Sequence, residues 1–174
     1  MVWRYYKVSE LNNALNTIFS NVKDAREGLG QKIFHFISKL TPMINVDILA
    51  EDNDGRKLLT WRSDKFYGPG WHVPGGVIRF KEKINDRINA VAMEELNAKI
   101  SFKSSPNLVR ENITCVRDTR GHFISLLFCC KIIILMDNSL EWDGINEPLN
   151  GQIGRFISPP SNLIPQHEPY KIFF

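Results

Sequence analysis

The chain has 174 residues, of which 43% are hydrophobic and 24% are charged. These values are typical of one soluble globular domain and exclude a disordered, collagen-like or coiled-coil chain. The formal net charge is +3, and the basic residues are scattered rather than clustered. This distribution argues against a nucleic-acid partner and suits a small anionic substrate at least as well.

The cysteines and apolar segments indicate a cytoplasmic protein. The chain has three cysteines and no C-x-x-C pair, so we predict neither a disulfide framework nor a zinc site, and a reducing cytoplasm is favoured. The first seven residues contain no apolar core of a signal peptide. The longest apolar segment, 123–136, is interrupted by polar residues and is shorter than the ~20 residues that a membrane helix needs. We predict a central strand there and no membrane partner.

The N-terminal part predicts two helices. Ser9 is a suitable cap for the first, and residues 1–27 are expected to form a helical extension preceding a main domain at 28–174. The second helix is predicted at 31–40, where Thr41-Pro42 stops it. The apolar stripe of the first helix, which needs a partner surface, consists of Leu11, Leu15, Ile18 and Val22.

Alternating apolar residues predict strands from Met43 onwards. A turn at Asp52–Gly55 joins the first strand to a return strand at Lys57–Trp61. A short strand at Trp71–Val73 leads to a turn at Pro74-Gly75-Gly76, and residues 77–80 are extended. Further strands are predicted around Ile100, at 108–116 and at 123–135, with a turn at 118–121. The tail, which is rich in proline, is expected to be mostly loop.

The strongest helix signal, at Lys83–Leu96, carries an acidic residue on its apolar face. The buried stripe consists of Ile84, Ile88, Val91 and Ala92. Glu95 lies in the middle of this stripe, and Glu94 lies at its edge. A carboxylate in that position is costly unless it is paired, protonated or bound to a cation. Three interpretations stay open: an ion pair with a nearby Arg or Lys, a helix end that has already reached solvent, or a Mg²⁺ site formed with a backbone carbonyl of Gly75-Gly76.

Residues 70–97 resemble the Nudix box, G-x5-E-x7-R-E-U-x-E-E-x-G-U. With Gly76 as the first position, the acidic positions of the box are matched by Glu82, Glu94 and Glu95. Ala90-Val91 replaces the Arg-Glu pair, and Asn97 replaces the late glycine. The resemblance implies an α/β (α+β) fold, a Nudix-type α/β/α sandwich with a mixed sheet between helices.

Flanking segments are similar to the GDP-mannose mannosyl hydrolase branch of this family. Residues 41–47 resemble its T-P-L-V-S-L-D strand, and residues 70–76 resemble G-Y-W-F-V-P-G-G. Arg62 falls on the active-site arginine, and Leu29, Gln31 and Phe34 match L-x-Q-x-x-F. The resemblance implies a homodimeric, Mg²⁺-dependent hydrolase of a small-molecule nucleotide sugar, in which water attacks the anomeric carbon and releases GDP.

The resemblance also implies a set of site residues. The metal ligands would be Gly75 (through its carbonyl), Glu95 and Asn150, with Gln152 as an alternative to Asn150. The residues assigned to catalysis are Asp47, Arg62 and Glu94, where Arg62 binds the diphosphate. The residues assigned to substrate binding are Leu29, Phe34, Arg62 and Arg79.

Two departures from the branch leave the mechanism incomplete. Gly151 stands where the branch has the histidine expected to be its base, and the remaining weak candidates are His122, His167 and Glu147. Val77 and Ala90 replace two arginines, for one of which Arg79 is a substitute because it lies on the same strand face as Val77. The alternatives are therefore a Nudix pyrophosphatase that cleaves the P–O–P link and a non-catalytic nucleotide-sugar-binding protein.

An aromatic group near the glycine pair has two interpretations. Its members are Trp61, Phe66, Tyr67 and Trp71. These rings either stack on a purine or pack in the core, and core packing is favoured for Trp71.

Overall fold

The computed structural model describes residues 8–64, 66–137 and 139–174. The predicted absence of a signal peptide, and the start of the predicted extension, concern residues 1–7, which lie outside the described residues. In the described part, the α-helices are Val8–Ser20 (α1), Gln31–Ile37 (α2) and Ile84–Leu96 (α3), and a 3₁₀ helix spans Pro165–Phe173.

The strands form one mixed sheet. In chain order they are Met43–Glu51 (β1), Lys57–Arg62 (β2), Gly70–His72 (β3), Gly75–Val77 (β4), Ala98–Phe102 (β5), Leu108–Ile113 (β6), His122–Leu135 (β7) and Ile153–Phe156 (β8). The path of the sheet is β3-β2-β1-β7-β5, while β4 pairs with β1, β6 with β7 and β8 with β2. Strands β1 and β7 are parallel over their whole shared length, and every other ladder is antiparallel.

Strand β1 separates two apolar cores because successive side chains point to opposite faces. Val46 and Ile48 pack with the apolar face of α3. Leu49, on the other face, packs with Trp71 and with Tyr170 of the 3₁₀ helix. Helical elements therefore cover both faces of a mixed sheet, which confirms the predicted α/β/α arrangement.

Most predicted elements are present with shifted ends. The helix predicted at 83–96 is α3, and the hairpin at Asp52–Gly55 joins β1 to β2. Within α3, Ile84 is 39% exposed whereas Arg87 is 3% exposed, so the predicted stripe is wrong at its first position. The predicted turn at 74–76 is also wrong, because Gly75 and Gly76 pair with β1 as part of β4.

The N-terminal helices are shorter than predicted. Helix α2 ends at Ile37 and continues in i→i+3 turns instead of reaching residue 40. Helix α1 ends before Val22 and contains no buried residue, since Leu11 is 55% and Leu15 is 38% exposed. The first two positions of the predicted stripe are therefore exposed, whereas Ile18 and Val22 are half-buried.

The tail is the largest difference from the sequence prediction. Instead of a mostly irregular segment it contains β8, which pairs with β2 over residues 57–60, and the 3₁₀ helix. Pro165 stands at the start of this helix, where its missing N–H costs nothing. Tyr170 is completely buried. The helix thereby supplies side chains to the cavity described next.

Candidate functional site

A cavity of about 470 Å³ opens between β1, β2, β4, the end of α3 and the 3₁₀ helix. It brings together side chains that are far apart in the sequence. Six of the residues predicted for the site line it, namely Asp47, Arg62, Gly75, Glu94, Glu95 and Asn150. The predicted metal-binding and catalytic residues therefore share one cavity.

Glu95 lies at the centre of this group, where α3 ends against β2 and β4. Its Oε1 accepts the Gly75 N–H at 3.2 Å, and its Oε2 accepts the Thr60 hydroxyl at 3.2 Å. Among the described residues its ionic partner is His72, with Nε2 at 3.2 Å from Oε2, and not the predicted Arg or Lys. The side chain keeps 28% of its surface exposed.

His72 is fixed beside Glu95 by contacts with Thr60. His72 Nδ1 lies 2.8 Å from the Thr60 carbonyl oxygen, which only accepts, so Nδ1 is the donor in this contact. Nε2 lies 3.2 Å from Glu95 Oε2 and 3.3 Å from the Thr60 hydroxyl oxygen.

Gly75 allows the strands to approach closely at this point. A Cβ on Gly75 would overlap Asp47 Oδ1 and would come within 2.9 Å of the Val46 carbonyl oxygen. The absence of a side chain is thus what lets β4 lie against β1 while its N–H reaches Glu95.

Glu94 is more exposed and is bound by two arginines. Its oxygens lie 3.9 Å from Arg79 Nη2 and 3.7 Å from Arg87 Nη1. Arg87 also donates from Nε and Nη2 to Glu82, at 2.9 Å each. Burial acts to raise the pKa of Glu82, but these hydrogen bonds outweigh it and the pKa is lowered. Glu82 thus holds a buried guanidinium.

Sequence reasoning missed this pair of residues. Arg87 lies three residues before Ala90, the position of the box arginine, and so occupies the same helix face one turn earlier. The i, i+3 spacing was the available signal. The structure therefore contains an arginine–glutamate pair, Arg87 with Glu82, at the start of α3, although the arginine of the box is absent.

Asp47 forms the buried floor of the cavity and does not face water at a sheet edge. It is 3% exposed, and its carboxylate accepts hydrogen bonds from Asn45 Nδ2 and from the Tyr170 hydroxyl, each at 2.6 Å. Burial raises the pKa of Asp47 to about 6, against the effect of the Tyr170 hydrogen bond. Tyr170 was not predicted, because its segment was read as loop.

The three weak candidates for a base differ in position. His167 lines the cavity, but its Nδ1 accepts the Val73 N–H at 2.9 Å, and burial lowers its pKa well below the usual value. It is therefore neutral, with its proton on Nε2, and acts as a donor. His122 pairs with Glu111 at 3.1 Å, and Glu147 is exposed; neither lines the cavity.

Arg62 and Asn150 lie at the rim. Arg62 Nε is 2.5 Å from Asp64 Oδ2, and its guanidinium lies 4.7 Å from the Tyr67 ring centroid. Asn150 Oδ1 accepts the Ser63 N–H at 3.1 Å. Gln152, the alternative, accepts the Leu149 N–H and does not line the cavity, whereas Asn150 does.

The remaining predicted substrate residues line a second cavity of about 650 Å³. They are Leu29, Phe34 and Arg79, and this cavity lies between the segment following α1 and β4. Val77 lines both cavities. The structure thus places these three residues beside the main cavity and not within it.

The aromatic group is divided between core and cavity. Trp61 and Trp71 pack edge to face at 5.2 Å between ring centroids and are buried, so for them core packing is confirmed. Tyr67 lines the cavity, and Phe66 contacts His35 with 5.5 Å between ring centroids.

The described residues contain no cluster of three or more His, Cys, Asp or Glu side chains with metal-binding geometry. Among the same residues, no helix has both the length and the apolar composition required to span a bilayer.

Several solved structures with this fold are Nudix hydrolases. The chain is similar to a Nudix hydrolase from Nitrosomonas europaea, with a TM-score of 0.51 and 14% identity over 67% of this chain and 72% of that one. It is also similar to a possible asymmetric diadenosine tetraphosphate hydrolase from Jonesia denitrificans, with a TM-score of 0.50 and 19% identity over 67% of this chain and 77% of that one. A Nudix-family hydrolase from Clostridium perfringens matches with a TM-score of 0.50 and 14% identity over 67% of this chain and 81% of that one. No protein-family model and no curated protein sequence matches the chain. The chain therefore has the Nudix hydrolase fold.

Proposed function

We propose that this protein is a Mg²⁺-dependent hydrolase of nucleoside-diphosphate sugars, similar to GDP-mannose mannosyl hydrolases. The observation that carries the proposal is the convergence of Glu95, Gly75, Arg62 and Asp47 on one cavity. Acidic, cationic and buried carboxyl groups in one cavity are the requirements for binding a diphosphate and activating water.

The donor set fits a magnesium ion better than a metal that needs several protein ligands. Mg²⁺ is commonly held by one or two carboxylates, with waters and substrate phosphates completing its shell. Glu95 and Glu94 supply the carboxylates, and the Gly75 carbonyl and Asn150 are further oxygen donors. When bound, the ion would neutralise charge on the departing diphosphate.

The protein's own groups supply the other parts of the reaction. Arg62 presents a planar guanidinium suited to phosphate oxygens. Asp47 is the base that we assign to the attacking water, since its pKa of about 6 leaves it ionised at neutral pH yet able to accept a proton. His167, whose acceptor nitrogen is occupied, is left to donate a hydrogen bond.

The alternative is a pyrophosphatase that attacks phosphorus and releases a nucleoside monophosphate. The observation that favours this pyrophosphatase is the similar structure from Jonesia denitrificans, which is named as a possible diadenosine tetraphosphate hydrolase. Hydrolysis in ¹⁸O-labelled water separates the two reactions. Label in the sugar supports attack at the anomeric carbon, whereas label in a phosphate supports the pyrophosphatase.

The test begins with a screen of nucleotide sugars in Mg²⁺, with products resolved by chromatography. GDP-mannose is expected to give free sugar and GDP. Glu95→Gln should abolish this activity, and the exposed Glu94→Gln should reduce it less. Tight binding of nucleotide sugars with no turnover by the unmodified protein would contradict catalysis and identify a binding protein. A homodimer is also proposed, and light scattering that shows a monomer would contradict it.

A further inference from the structure

One end of the main cavity concentrates positive charge around Tyr67. Three guanidinium groups lie close to the centroid of its ring: Arg117 at 4.5 Å, Arg62 at 4.7 Å and Arg120 at 5.5 Å. Asp64 pairs with Arg62 at 2.5 Å. Three cations thus face one carboxylate in this group, and like charges so close together repel unless an anion joins them.

Two of these arginines have unused donors. Arg120 Nε and Arg117 Nη1 are buried and have no hydrogen-bond partner among the residues that the structure describes. Burial lowers the pKa of Arg120, and the charge of Arg62 acts in the same direction. A buried donor without an acceptor is costly, and the cost is larger for a charged group. Arg120 lines the cavity, so an anion bound there would offset its charge and offer it an acceptor.

The turn at 114–121 holds Arg120 in an uncommon conformation. Its φ is +55°, in the left-handed region, and its backbone N–H donates to Ser38 Oγ at 3.1 Å. The Thr114 N–H and the Gly121 carbonyl close the turn at 2.7 Å. Residues other than glycine rarely adopt this backbone, and such cases often mark functional positions. The side chain of Arg120 thereby reaches the cavity lining.

The rings at this end are not available to stack on a base. The guanidinium groups cover Tyr67, and Phe66 is contacted by His35 at 5.5 Å and by Arg120 at 5.0 Å between ring centroid and partner. Purine stacking, one of the two interpretations of the sequence, would have to displace these contacts. The chemistry of this end favours an anion instead.

We propose that Arg120, acting with Arg62, binds a phosphoryl group of the substrate. The preferred substrates then carry at least two phosphoryl groups, one at these arginines and one toward Glu95. The inference rests on the proposed function in one respect, namely that the cavity takes a phosphorylated compound. It adds Arg120 to the substrate-binding residues, and it assigns the Tyr67 end to a phosphoryl group.

Calorimetry with inorganic pyrophosphate in EDTA tests the subsite without a metal. Arg120→Asn should weaken binding about tenfold or more, and asparagine is chosen because it tolerates the left-handed backbone. Arg120→Lys should be intermediate, since it keeps the charge but loses the planar donor group. Lys99→Gln removes the same charge from an exposed site on β5 and should change the affinity less than twofold.

The outcomes distinguish the inference from the proposed function. Unchanged pyrophosphate affinity in both Arg120 variants, each with a wild-type thermal unfolding midpoint, would overturn the inference. If Arg120→Asn is unfolded, the Arg120→Lys and Arg62→Gln variants decide in the same assay. If the unmodified protein hydrolyses no nucleotide sugar but Arg120→Asn still weakens binding, the proposed function fails and the subsite stands. If hydrolysis occurs and its KM is the same in Arg120→Asn, the subsite alone is wrong.

Discussion

Replacing Asp47 by asparagine is expected to stabilise the protein at neutral pH while removing activity. The carboxyl group is buried, and its pKa is raised from 3.8 to about 6 by desolvation. Between those pH values the native state holds a proton that the unfolded state has lost. The free energy of unfolding therefore falls as pH rises through this window, by ~1.4 kcal/mol per unit.

The pKa difference sets the size of the effect. A shift of about two units costs the native state about 3 kcal/mol above pH 6. Asparagine removes this cost but exchanges one acceptor oxygen for a donor. The Tyr170 hydroxyl, which now donates to Asp47 at 2.6 Å, would have to turn and accept. Allowing about 1 kcal/mol for this change, we expect a net gain of about 2 kcal/mol at pH 7.5.

Urea unfolding in EDTA between pH 3.5 and 8 measures this gain. The advantage of Asp47→Asn should be largest above pH 6 and should vanish below about pH 4, where the acid is protonated in both states. Asp52→Asn is the matched control. Although burial acts to raise it, hydrogen bonds from Arg56 and Arg155 hold the pKa of Asp52 below its usual value, so that variant should be less stable at neutral pH. Loss of stability in Asp47→Asn at pH 7.5 would refute the reasoning.

Three further changes test the site and its support. Glu95→Gln should lower Mg²⁺-dependent turnover at least a hundredfold, with an unchanged circular dichroism spectrum; turnover near the wild-type rate would exclude a role for Glu95. Arg87→Met should cost about 3 kcal/mol in urea unfolding, because Glu82 loses its buried partner; a loss below 1 kcal/mol would contradict the geometry. Gly75→Ala should both destabilise and inactivate the protein, since the added methyl group would overlap β1. Gly30→Ala is the control, because no atom lies within 4 Å of its Cβ, and it should change neither stability nor activity. Thermal unfolding and product assays measure both effects.

The sequence predicted those parts of the fold that have strong periodicity. The strand from Met43 and the helix around Ile88 are both confirmed, although β1 is buried on both faces and the stripe of α3 fails at Ile84. Glu95 was found by the same reasoning, since a carboxylate on an apolar stripe is anomalous. Its assignment to a metal site came from the resemblance to the Nudix box.

Residues whose roles depend on distant contacts could not be found in this way. Tyr170 lies in a segment rich in proline, and nothing local indicates that it reaches Asp47, 123 residues earlier. Arg120 is one of two arginines in its turn, and its significance comes from the rings and cations that the sheet brings to it. The second cavity likewise depends on how β4 packs against the segment following α1, which no periodicity encodes.

The register of the parallel pairing between β1 and β7 determines which residue forms the cavity floor. Nine consecutive pairs, from Met43 with Phe123 to Glu51 with Lys131, fix where Asp47 stands. A shift of one residue in this pairing would turn Asp47 toward the apolar core beneath α3 and would turn Val46 toward the cavity. A single-residue insertion within β1 is therefore expected to disrupt the cavity floor. Residues 53–55, at the exposed tip of the β1–β2 hairpin, border neither described cavity and are a suitable place to insert a label.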